Sequence, residues 1–79
     1  MLRKKEDKFI VVFETTTNAM ALEKHAKLAG SKGRLIPTPP SIRAGCGFAW
    51  CSPVDEEILI RQLIIDKNIS TTDQVIFNI

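Results

Sequence analysis

Histidine occurs once in this sequence, at His25, and cysteine twice, at Cys46 and Cys51. With no second ligand one helical turn away and no Cys/His cluster around it, His25 does not make a metal centre. It is also badly placed to serve as the base of a cysteine hydrolase, because the helix expected around it carries it one to two turns from the N-terminal end. The lack of a C-x-x-C pair argues against thioredoxin chemistry and a paired-thiolate metal site, and two cysteines are too few for a disulfide framework. A Cys46–Cys51 bridge is disfavoured too: five extended residues span roughly 16 Å, against a limit of ~7 Å between bridgeable Cα atoms. Neither G-x-x-x-x-G-K-[ST] nor G-x-G-x-x-G is present, so the usual phosphate cradles are missing. Aromatic residues make up only 6% of the chain, and none interleaves with a basic patch as a single-strand nucleic-acid binder requires. No apolar run reaches the ~18 residues of a membrane span. Residues 1–8 are charged where a signal peptide would be apolar. They read as a solvated arm over 1–7, and the thiols read as the reduced cysteines of a cytoplasmic protein. There are no repeats and no low-complexity segments. The expectation is neither nucleic acid nor membrane as a partner, and no cofactor.

What is present is one small domain over residues 1–79, with 44% hydrophobic residues and a net charge of +2. Phe9-Ile10-Val11-Val12-Phe13 is a continuous β-branched and aromatic run, the pattern of a central strand. Glu14-Thr15-Thr16-Thr17-Asn18 supplies N-cap candidates for a helix over about 17–29, with Ala19, Leu22, Ala26 and Ala29 on one stripe and Gly30 as its stop. Arg34-Leu35-Ile36 reads as a short strand closed by Pro37, and Phe48-Ala49-Trp50-Cys51 as another. Ser52-Pro53 followed by acidic residues reads as a helix start, with Ser52 as N-cap and Pro53 at the first helical position. That helix runs to about Lys67, with Asn68 closing it. A last strand covers 74–79. The order β-α-β-β-α-β is the split βαβ pattern. It predicts an α+β, ferredoxin-like sandwich: a four-stranded antiparallel sheet in the order 4-1-3-2 with both helices on one face.

The second helix is apolar nearly all round. Val54, Ile58, Gln62 and Ile65 are the expected sheet-facing positions, which leaves Leu59, Ile60, Leu63 and Ile64 pointing elsewhere. The first strand is apolar on both faces, yet two helices cover only one. Either loops fold over the remaining surface, or the protein associates with itself or a partner through the open sheet face or the second helix.

Residues 36–47 hold three of the four prolines, two of the four glycines and one of the two cysteines. Prolines stiffen a loop, and glycines allow close approach or positive φ. In the expected topology this loop shares one end of the sheet with the turn between the first strand and first helix. Cys46 should then lie near the open N–H groups at the start of that helix, where a thiolate is favoured. Thr15, Thr16 and Thr17 could add hydroxyl donors, and Arg43 a cation. Gly45 and Gly47 would leave the sulfur uncrowded. The alternative is that Cys46 is a small apolar side chain that packs the loop. Cys51, beside Trp50 within a strand, reads as a packing residue.

Phe13-Glu14-Thr15-Thr16, Ala19, Glu23, Gly30, Arg34-Leu35-Ile36-Pro37-Thr38-Pro39, Ser41-Ile42 and Gly45-Cys46-Gly47-Phe48-Ala49 together resemble the selenium/sulfur carrier protein-like family of small bacterial domains. The resemblance covers about 9–65 and is sharpest in the P-x-P…C-G loop. Only Cys46 takes the family's cysteine position. Pro40 and Arg43 stand where a basic and a hydroxyl residue are more usual, so the positive charge has moved along the loop. The resemblance implies a thiol that carries sulfur or selenium as a persulfide or selenosulfide between donor and acceptor proteins, a group carrier more than a complete enzyme. Two other readings compete. One is a non-catalytic ferredoxin-like interaction module in which Cys46 only packs its loop. The other is a transition-metal chaperone, although such proteins carry paired cysteines after the first strand, where this chain has Glu14-Thr15-Thr16-Thr17.

Overall fold

The computed structural model describes residues 6–39, 41–42 and 47–78. The elements are β1 (Asp7–Val12), α1 (Thr16–Leu28), β2 (Arg34–Pro37), β3 (Phe48–Pro53), a 3₁₀ turn (Val54–Glu56), α2 (Glu57–Asp66) and β4 (Asp73–Asn78). The strands form one antiparallel sheet in the order β2-β3-β1-β4. This is the α+β, ferredoxin-like arrangement the element order predicts. The run of apolar residues in β1 is explained by its central place. Phe9, Ile10, Val11 and Val12 are all fully buried, with β3 on one side and β4 on the other.

Alternation along β1 divides these side chains between two cores. Phe9, Val11 and Phe13 join Trp50 of β3 under the helices, packed by Ala19, Leu22 and Ala26 of α1 and by Ile60 and Ile64 of α2. The small residues of α1 let it settle close to the sheet, on the stripe its spacing predicts. Ile10, Val12 and Ala49 face the other way. They are also fully buried, although α1 and α2 both pack on the other side, and Ile36, Ile42, Cys51, Val75 and Phe77 pack around them. Ile42 belongs to the β2–β3 loop, so that loop takes part in covering the open face.

Both helices end in paired reverse hydrogen bonds of the Schellman type. At α1 the N–H of Ser31 donates to Ala26 O (2.9 Å) and that of Gly30 to Lys27 O (3.0 Å), with Gly30 at φ +85°. At α2 the N–H of Ile69 donates to Ile64 O (3.0 Å) and that of Asn68 to Ile65 O (3.2 Å), with Asn68 at φ 53°. Ile69 and Ile64 are both buried in the helix-side core, the apolar contact that accompanies such an ending.

The start of the second helix differs from its expected form. β3 continues through Ser52 and Pro53, and a 3₁₀ turn intervenes before α2. Ser52 is therefore a strand residue and caps nothing. It pairs with Phe9 and is 1% exposed. The longer strand and the extra turn also set the phase of α2. Ile60 and Ile64 face the core, while Ile58 and Ile65 are 83% and 72% exposed. The expected inward face is thus turned outward. Two apolar stripes were available on this helix, and the entry geometry selects between them.

Burial leaves the Ser52 hydroxyl without a hydrogen-bond partner. An unsatisfied buried hydroxyl opposes folding by ~1–3 kcal/mol. Ser52→Ala is therefore expected to raise stability, by about 1 kcal/mol after the loss of a few contacts. A urea midpoint that falls would contradict this.

Candidate functional site

The strand register places one end of the sheet under four segments. Val12 pairs with Ala49 and with Asp73, and Ala49 pairs in turn with Ile36. The β1–α1 turn, both ends of the β2–β3 loop and the α2–β4 connection therefore meet there. The connection is tied in by two hydrogen bonds: Thr72 N–H donates to Val12 O (2.7 Å) and Ser70 N–H to Asn18 Oδ1 (3.4 Å).

The β1–α1 turn is organised by Thr15. Its extended backbone (φ −127°, ψ 149°) makes it the N-cap, and its Oγ1 accepts from Asn18 N (3.4 Å) and Asn18 Nδ2 (2.9 Å). Thr15 is therefore occupied as a cap. Thr16 and Thr17 open the helix and are exposed. Their N–H groups lie in the first turn, which has no intrahelical acceptor. That turn carries no acidic side chain to neutralise the positive end of the helix.

The β2–β3 loop is closed at its base, where the Thr38 N–H donates to Gly47 O (3.0 Å). Gly47 sits at φ +80°, a conformation that suits glycine, and nothing lies within 4 Å of where a Cβ would be. The Thr38 hydroxyl oxygen is buried at this base with no partner. Farther along, Ile42 N–H donates to Pro39 O (2.9 Å), a turn that sets the Ile42 side chain on the open-face core. Ser41 and Ile42 then line a groove with Thr72, Asp73 and Val75 of the opposite sheet edge. The loop thus leaves β2 at one edge, reaches β4 at the other, and is back beside β3 at Gly47. Sequence reasoning placed the loop at the end of the sheet but missed this crossing. The available signal was Ile42, a large apolar side chain that follows the prolines of the loop.

Of the residues expected to form a site, Thr15, Thr16, Thr17 and Gly47 share this end of the sheet. Cys46, Arg43 and Gly45 lie outside the described residues, as does Pro40, and so does the expected approach of Cys46 to the start of α1. Cys51 is half-buried in β3, opposite Ile10 on one side and Arg34 on the other, and packs with the open-face core. His25 lies on α1 and is half-buried. Among the described residues no three His, Cys, Asp or Glu side chains gather as metal ligands. No helix of the described residues is long and apolar enough to cross a membrane.

No curated protein and no solved structure matches the chain significantly. A family model described as "Putative Se/S carrier protein-like" matches residues 8–75. That span takes in both helices, β2, β3, the proline- and glycine-rich loop, nearly all of β1 and the first half of β4, and the chain therefore belongs to the Se/S carrier protein-like family.

Proposed function

We propose that the protein carries a sulfur or selenium atom on Cys46 and passes it between partner proteins. The observation that carries this reading is the seating of the loop. It is closed at its base by the Thr38–Gly47 hydrogen bond and anchored midway by Ile42 on the open-face core. A cysteine carrier needs its thiol on a loop held by a rigid scaffold, with partial positive charge at hand to favour the thiolate. The start of α1 at the same end of the sheet, whose first turn carries no acidic residue, would supply part of that charge, and Arg43, three residues before Cys46 in the sequence, would supply the rest.

The transfer is a thiol–persulfide exchange. The Cys46 thiolate attacks the outer sulfur of a donor persulfide, R–S–SH. A bond forms between Cys46 Sγ and that sulfur, the donor S–S bond breaks, and the electron pair leaves on the donor as R–S⁻. A thiolate on an acceptor protein repeats the step on the Cys46 persulfide and restores the Cys46 thiolate. There is no net oxidation. A selenium atom travels the same way as a selenosulfide. Cys51 has no part in this scheme, since it packs against the open-face core.

Mass spectrometry after incubation with a persulfide donor tests the proposal. One added sulfur on the peptide bearing Cys46 is expected, and none with Cys46→Ser. An unmodified Cys46, or an adduct confined to Cys51, would sink it. A Cys46 thiol that alkylates at an ordinary rate would favour a non-catalytic interaction module.

A further inference from the structure

The two edges of the sheet are built differently. β2 is four residues long, starts at Arg34 and ends at Pro37, both of which discourage another strand from pairing there. β4 is six residues long and carries no charge after Asp73. A groove of about 440 Å³ follows it, lined by Ser41, Ile42, Thr72 and Asp73 and by the consecutive residues Val75, Ile76 and Phe77. Consecutive strand residues point to opposite faces, so this groove opens along the strand's outer edge. Ile76 is 46% exposed beside it.

We propose that β4 is the seat of a twofold dimer, in which β4 of a second copy of this chain pairs antiparallel with it and joins the two sheets into one. The strand is complementary to itself. In the register centred on Ile76, Ile76 meets its own counterpart, Val75 meets Phe77, and Gln74 meets Asn78. No charge opposes another, and the apolar residues of the open face meet apolar residues of the same face. Centring on Val75 would instead set Gln74 against Ile76 and Asp73 against Phe77, so that the pairs on both sides of the centre would mix polar with apolar residues. A shift by one residue would bring the open face of one sheet against the helix face of the other.

The exposed stripe of α2 lies on the same side. Arg61 Nη1 donates to Gln74 Oε1 of β4 (2.7 Å), so this flank of the helix overlies the free edge. Ile58 and Ile65 stand one turn before and after Arg61. A twofold axis perpendicular to the joined sheet keeps both helix layers on one side and brings these isoleucines toward those of the partner copy. A single contact then accounts for the uncharged edge and for the outward stripe of α2. It does not depend on the role of Cys46.

Sedimentation of the full chain over a wide range of concentration tests the proposal. A mass twice that of the 8.8 kDa chain is expected. Ile76→Lys should return it to a monomer with an unchanged circular dichroism spectrum. Leu28→Lys, on an exposed position of α1, should leave the dimer intact. Hydrogen exchange on the unsubstituted chain provides a readout that needs no variant. The outward amides of 74–78 should exchange roughly tenfold or more slowly at dimer concentrations than on dilution. A monomer at every concentration would overturn the proposal. So would a dimer that survives Ile76→Lys but not Leu28→Lys, or one that gives β4 no added protection.

Discussion

Gly33→Ala is expected to destabilise the domain by about 3 kcal/mol. An added Cβ would collide with Trp50 Cζ2 and would stand 2.8 Å from both the Cys51 carbonyl oxygen and Ser52 Cβ. Two of these are β3 atoms held in the sheet, and the third belongs to a ring that is fully buried. Nor can Gly33 easily back away. The α1–β2 connection is held to the start of α2 by Glu56, whose carboxylate accepts from Ser31 Oγ (2.5 Å) and Lys32 N (3.0 Å). Gly33 N in turn donates to Ser31 Oγ (3.0 Å). A domain of this size has roughly 4–12 kcal/mol of stability in all. The variant should therefore lose a quarter or more of it, read as a lower urea midpoint at unchanged m-value. A shift equivalent to less than about 0.5 kcal/mol would show that the ring and connection move apart freely.

Gly33 illustrates what a sequence does and does not disclose. Gly30 and Asn68 could be read as helix stops because their context is local: each follows an amphipathic run, and positive φ suits both residue types. The need for glycine at position 33 comes from Trp50, a residue distant in the sequence. The phase of α2 was hidden for a related reason. Its apolar residues at 58, 59, 60, 63, 64 and 65 permit two inward faces, and periodicity alone gives no preference between them. The choice follows from the 3₁₀ turn after Pro53, which replaces the simple cap that Ser52 and Pro53 suggested. Strand order was legible because hydrophobic runs, element order and handedness constrain one another strongly. At the candidate site, the loop and the helix start could be brought to one end of the sheet from topology alone. The crossing of the open face could not, since it rests on Ile42 finding a surface that only the assembled sheet creates.

That crossing bears on how a domain of this size encloses both faces of its sheet. Two helices cannot cover both faces of four strands, and Ile10, Val12 and Ala49 would otherwise be wet. Part of the cover comes from the segment that bears the candidate thiol. Enclosing the second core then falls in part to the proline-rich loop, which gives its prolines a physical purpose. A stiffened segment loses less entropy when it is laid across a surface.

The helix-side core is where a single truncation should cost most, and Phe9→Ala is expected to remove about 3–5 kcal/mol. Phe9 is fully buried in the central strand, between Ser52 of β3 and Ile76 of β4. It packs in the same cluster as Trp50, Ile60 and Ile64. The guanidinium of Arg61 stands 5.0 Å above its ring and is itself held by Glu57 (Nε–Oε2 2.7 Å) and Gln74. Two contributions can therefore be separated. The cation–π contact, at a half-exposed arginine, is worth about 0.5–1 kcal/mol. The larger part is ring volume and the cavity its removal leaves between strands that are fixed on both sides. Phe9→Leu keeps most of the volume and loses the ring, so it should cost no more than about 1.5 kcal/mol. If the leucine variant proves as unstable as the alanine variant, the arginine contact is the main contribution and the packing account of this core is wrong. A leucine variant near the unsubstituted protein, with alanine far below it, would locate the stability of the fold in the volume of β1 side chains held between β3 and β4.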